Sequence, residues 1–170
     1  MKNLKPYTKC SKAFFDEVLE TKENSPEDPQ YLDRVEILKP DVKDNYTVFD
    51  LEHTANNLAS LQAHGYINQN KTDLLKLYQY NNSVIQKLNN EVTTLEGNRL
   101  INTCQNCTIN EINSLDHIVP KNEFPEFSIN PRNLFPSCSK CNGHKSYVWR
   151  VNNKSVFLNL YLDNLPEEQY

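Results

Sequence analysis

Residues 104–107 read CQNC and residues 138–141 read CSKC; between and beside these knuckles lie LDHIVPK at 115–121 and NPRNLFPSCSKCNGHK at 130–145. A Cys-x2-Cys pair lets two thiolates of one tight turn point at one ion, and two such turns complete the tetrahedral shell that zinc prefers in structural sites. Cys104, Cys107, Cys138 and Cys141 therefore read as the ligands of one structural Zn²⁺. The competing reading, disulfides or unligated thiols, is disfavoured in a reducing compartment. A closed four-thiolate zinc leaves no coordination position for water or substrate, so it supplies folding energy and any chemistry comes from other residues. Cys10 stands alone far upstream and receives no role.

Working outward, the chain before residue 97 is patterned as helix. In KAFFDEVLETK at 12–22, Phe14, Phe15, Val18 and Leu19 fall at helical spacing, and SPEDP at 25–29 breaks the pattern. A second short helix is expected over 31–38, stopped by Pro40, and a third over 45–64, ended by His64-Gly65. His53 and His64 would share one face of that third helix and be solvated. From Thr72 to Glu96, the residues Leu74, Tyr78, Asn81, Ile85, Leu88, Val92 and Leu95 alternate steps of four and three, a heptad seam broken by one polar residue. That seam fits either a dimer interface or packing against the 45–64 helix, since every apolar stripe needs a partner. After Gly97 the periodicity gives way to cysteines, prolines and asparagines, and the stretch 156–162, VFLNLYL, reads equally as strand or helix. Phe124, Phe127, Phe135, Tyr147 and Trp149 are expected to pack around this small module.

Phosphodiester hydrolysis needs an activated water, charge neutralised on the phosphoryl group and a stabilised leaving oxygen. His117 can accept a proton near neutral pH and is assigned as general base, and Asp116 offers a hard oxygen ligand suited to Mg²⁺ or Mn²⁺. Adjacent side chains of a strand point to opposite sides, so this pair needs a strand end to converge on one phosphate. The order C-x2-C, D-H-I-x-P, N-L-x-x-x-C-x2-C-N-x-x-K resembles the four-cysteine branch of the HNH, or ββα-metal, endonucleases over about Cys104 to Lys145. The resemblance implies that Asn142 is the second ligand of the catalytic ion, a position where many members carry histidine, and that Asn133 ties down the loop carrying the base. Lys145 would neutralise a backbone phosphate, with His144 as a rival ligand or phosphate contact. The expected fold class is α+β: a helical region, 1–96, followed by a zinc-stapled ββα-metal module and tail, 97–170.

Bulk properties exclude other classes. No apolar run approaches the roughly 18 residues of a membrane span, and residues 1–10 lack the apolar core of a secretory signal, which places the protein in the cytoplasm. Three glycines leave no room for a phosphate-cradling glycine loop. The net charge is −4, yet residues 97–154 carry a formal +3 and the remainder −7, so the acid lies away from the chemistry. The leading expectation is a metal-dependent DNA endonuclease leaving 5′-phosphate and 3′-hydroxyl ends, possible nuclease subunit of a bacterial antiphage or restriction system, as the resemblance implies. The alternative is a non-catalytic zinc-stapled module that docks nucleic acid or protein. With so little basic surface, the chain is expected to act with a protein partner or as a homodimer through its acidic helical region.

Overall fold

The computed structural model describes residues 2–145 and 148–165, and Tyr147 lies outside them. Four helices, α1 (Ser11–Leu19), α2 (Tyr31–Thr54), α3 (Asn68–Lys76) and α4 (Ser83–Thr93), precede the antiparallel pair β1 (Ser114–His117) and β2 (Leu134–Ser137). A short helix α5 (Ser139–His144) follows β2, and a small hairpin, β3 (Arg150–Val151) and β4 (Lys154–Ser155), leads to the C-terminal stretch. This is the α+β arrangement expected from the pattern: helices first, then a small sheet with the four cysteines close together.

Three helix boundaries differ from the sequence reading. Pro40 does not stop a helix; α2 runs through it for 24 residues. Proline removes one intrahelical hydrogen bond and costs about 3 kcal/mol inside a helix. Pro40 is exposed, so the carbonyl it leaves unpaired can face water, while Val35, Val42, Tyr46, Phe49 and His53 are buried on both sides of it. Burying several such side chains at about 1.5–3 kcal/mol each outweighs the loss. Lys39 and Lys43 flank the proline and both pair with Asp16 of α1, at 3.2 and 2.5 Å.

The 72–96 seam is two helices. Asn82 breaks it by capping α4, its side chain accepting from the Val84 and Ile85 amides at 2.9 and 3.4 Å. Leu74, Ile85, Leu88 and Val92 are buried within the chain, which leaves the seam unavailable as a dimer interface. The 45–64 helix likewise ends at Thr54, so His53 and His64 do not share a face. His53 is buried against Phe49 and Tyr161, and His64 pairs through Nδ1 with the fully buried Glu126 at 2.7 Å. The stretch 156–162 is neither strand nor helix; its Leu160 carbonyl accepts from the Leu4 amide at 3.0 Å, and the Tyr161 hydroxyl donates to the Leu134 carbonyl at 2.5 Å.

One apolar core runs across residue 97. Phe127, in the loop between β1 and β2, meets Phe49 and Tyr46 of α2 at ring separations of 4.7 and 6.1 Å. Phe124 stacks on Phe127 and meets Trp149 edge-on at 5.5 Å, whereas Phe135 is only half-buried. Burial pushes the His53 imidazole down to about 4, below its ordinary 6.5. The unfolded chain then binds a proton that the folded chain refuses, so this contribution is complete above about 6.5 and declines as pH falls toward 4, by on the order of 3 kcal/mol in all. Thermal unfolding of parent and His53→Phe between pH 7 and 4.5 should show the variant losing less stability on acidification; parallel curves would contradict this account.

Candidate active site and thiolate cluster

The four cysteine sulfurs lie within 4.8 Å of one another, with Cys107 and Cys138 Sγ 3.9 Å apart. A tetrahedron with Zn–S of about 2.3 Å has edges of about 3.8 Å. The second knuckle is set by α5, whose N-cap is Cys138: its sulfur accepts from the Cys141 amide at 3.4 Å. In the first, Cys107 Sγ accepts from the Asn110 amide at 3.5 Å. These backbone donors draw Cys107 down to about 6 and lower Cys138, while burial and the neighbouring sulfurs push Cys141 up. Thiols of which two are drawn toward thiolate and one resists ionising are balanced by a cation among them. The cluster fits a metal ion.

Asp116 and His117 end β1, opposite Phe135 and Leu134 of β2. Alternation along the strand sends them to different surroundings. Asp116 lines a cavity of about 480 Å³ together with Ile109, Phe135, His144, Lys145 and Phe157. His117 faces inward, its Nε2 2.8 Å from the Ser128 carbonyl. A carbonyl only accepts, so Nε2 carries the proton and Nδ1 keeps the lone pair. Nδ1 has no hydrogen-bond partner among the described residues, and burial pushes the imidazole down to about 3.

Asn133 is fully buried and clasps the loop that follows β1. Its Oδ1 accepts from the Val119 amide at 2.8 Å, and its Nδ2 donates to the Val119 and Phe127 carbonyls at 3.2 and 3.0 Å. Asn142, on α5, donates Nδ2 to the Leu115 carbonyl at 3.4 Å, and its Oδ1 has no partner among the described residues. The Lys145 ammonium sits 3.4 Å from Asp116 Oδ2, against the His117 carbonyl and beside the rings of Phe135 and Phe157. Burial raises Asp116 and lowers Lys145, each opposed by the other's charge. His144 is exposed at the cavity rim. Asp116, His144 and Lys145 are thus brought together around one cavity; Asn142 does not line it, and His117 and Asn133 are buried away from it, so the strand end does not bring the Asp116–His117 pair onto one surface.

Residues 104–147 match a family model described as HNH endonuclease. This segment is similar to the HNH endonuclease family. A relative, protein ea31 of Escherichia phage lambda, is 33% identical over 101 residues, an alignment covering 56% of this chain and 33% of that protein. The chain thus spans about a third of the length of the relative it matches. No solved structure matches significantly. The HNH segment implies nucleic-acid binding, and no helix among the described residues is long and apolar enough to cross a membrane.

Sequence reasoning missed three groups around His117. Ser128 supplies the carbonyl for Nε2, Tyr78 meets the imidazole edge-on at 4.9 Å, and the Lys121 ammonium lies 4.9 Å over the Tyr78 ring. Ser128 left no signal, but a tyrosine at a seam position is one: its buried hydroxyl must find a partner. Asn133→Ala strips partners from three backbone groups and should destabilise the chain by about 2–4 kcal/mol in urea unfolding; a change below about 0.5 kcal/mol would show that the loop does not depend on this side chain.

Proposed function

We propose that the chain is a metal-dependent endonuclease that hydrolyses DNA phosphodiester bonds, with the structural ion of the cysteine cluster being Zn²⁺ and the catalytic ion Mg²⁺ or Mn²⁺. The observation that carries this reading is the match of residues 104–147 to the HNH endonuclease model, together with Asp116 and Lys145 at one cavity and the tautomer-fixed His117 next to Asp116 at the end of β1. A module that only docks nucleic acid has no use for that arrangement.

Asp116 and Asn142 would hold the catalytic ion, a fit supported by the Asp116 carboxylate at the cavity, which already attracts the Lys145 ammonium. Bound there, such an ion polarises the phosphoryl group and stabilises the leaving 3′ oxygen. The rest falls to the chain. His117 would take a proton from the attacking water at Nδ1 while Nε2–H stays on the Ser128 carbonyl; because its ring is buried and does not line the Asp116 cavity, this requires that substrate binding open a path to Nδ1. The phosphate's negative charge opposes the effect of burial on His117 and raises its basicity when substrate is present. Lys145 leaves Asp116 and neutralises a phosphate oxygen, and Asn133 keeps the loop behind the base in register. In this proposal residues 97–170 carry the chemistry and 1–96 form the supporting helical region.

A protein partner or second copy belongs to the same proposal, and because the heptad seam is buried, its surface moves to the outward face of α2, where Ile37, Val48 and Leu51 are exposed. The cytoplasmic setting and a restriction or antiphage role stand as proposals too; the matched relative is itself a phage protein. Supercoiled plasmid incubated with Mg²⁺ or Mn²⁺ should be nicked by the parent. The same assay on His117→Ala should show a rate lower by about a hundredfold to ten-thousandfold, with zinc content unchanged. In Asp116→Ala and Asn142→Ala, excess Mn²⁺ should restore part of the activity. A His117→Ala protein that cuts as fast as the parent sinks the assignment, and a parent that cuts under none of these conditions favours the docking module.

A further inference from the structure

We propose that Tyr78, on the turn after α3, is a positioning residue for the base: it holds the His117 imidazole in place from the helical region, outside the segment that matches the HNH family. The inference rests on the nuclease reading of the site. The Tyr78 ring meets His117 at 4.9 Å and an interplanar angle of 71°, and its hydroxyl donates to the Leu115 carbonyl at 2.9 Å, two residues before His117 in β1. On the other side of the imidazole, the Ser128 carbonyl that receives Nε2–H belongs to a residue whose own hydroxyl donates to the Leu74 carbonyl at 2.7 Å. Leu74 and Tyr78 are four residues apart at the end of α3, so both supports of the ring trace to one turn of the chain.

The same Leu115 carbonyl also accepts from Asn142 Nδ2. The phenol therefore touches the backbone anchor of the proposed metal-ligand side chain as well as the ring of the base. An imidazole has two soft torsions, and one hydrogen bond at Nε2 leaves the ring free to swing about that bond. The edge contact from Tyr78 removes this freedom and fixes the direction in which Nδ1 points. A misplacement of about 1 Å in a reacting group costs about a hundredfold in rate. Tyr78 is half-buried with its hydroxyl committed to Leu115, so it acts through His117 and not on substrate. Leu74 and Tyr78 thereby give the helical region a role in the chemistry that its acidic surface does not suggest.

The test uses the full chain with its metals. Tyr78→Leu should lower kcat on plasmid about 10- to 100-fold with KM within about threefold of the parent and zinc content intact; Tyr78→Phe, which keeps the ring and loses the Leu115 bond, should fall about threefold to tenfold. Side-chain ¹⁵N NMR of His117 should report the Nε2–H tautomer in both proteins, with sharp ring signals in the parent and shifted, broadened ones in Tyr78→Leu. A Tyr78→Leu kcat within twofold of the parent, or a loss confined to KM, overturns the proposal. Should Tyr78→Leu fail to fold, Tyr78→Phe decides, and a kcat equal to the parent's overturns it. If the parent does not cut at all, the NMR comparison decides alone: identical His117 signals overturn the positioning role, whereas altered signals support it while the nuclease reading falls.

Discussion

The buried side chain of Asn133 is the constraint on which the site depends. It satisfies two backbone groups of Val119 and one of Phe127, and so closes the long loop that leaves β1 at His117 and returns at β2. That loop is almost wholly buried from Phe124 to Pro131, which is unusual for irregular chain because its backbone groups must find partners inside the protein. Asn133 supplies three of them with one amide. With the loop fixed, the Ser128 carbonyl sits where His117 Nε2 can reach it, and the imidazole has a defined tautomer.

The thiolate cluster does a complementary job from the opposite end of the sheet. β2 runs directly into Cys138, and α5, which carries Cys141, Asn142 and Lys145 at or beside its end, is too short to be stable alone. A metal ion joining Cys138 and Cys141 to the first knuckle would anchor that helix against β1 and thereby set the height of Asn142 over the Leu115 carbonyl. The cysteine cluster and the cavity at Asp116 are linked through the six residues of α5. The helical region completes the frame, because Phe127 fills a slot between Phe49 and Tyr46, and Arg132 pairs with Asp50 at 3.3 Å.

Much of this was legible in the sequence where the signal was chemical and local. The knuckles specify their own geometry by spacing, and Asn133 falls where a loop clasp places it, whereas the D-H pair does end a strand but is not brought onto one surface by it. What was not legible depends on tertiary burial. Pro40 reads as a stop because propensity sees the missing amide and not the apolar residues buried on both sides of it. The 72–96 seam reads as one helix because Asn81 and Asn82 look like a single polar interruption, when Asn82 is in fact the cap of a new helix. Ser128 carries no local signal, and Tyr78 signals only that its hydroxyl needs a partner; neither identifies His117, since the contact spans 39 residues in one case and 11 in the other.

In the proposed nuclease two metals do two separate jobs, one among sulfurs and one among oxygens. Anomalous diffraction from crystals of the parent soaked in Mn²⁺, collected at the zinc and manganese edges, tests it most directly. The predicted result is a zinc peak at the centre of Cys104, Cys107, Cys138 and Cys141 and a separate manganese peak bridging Asp116 and Asn142, with Lys145 displaced from the carboxylate. A cysteine cluster without zinc, or manganese bound away from Asp116 with Lys145 still in place, would contradict it.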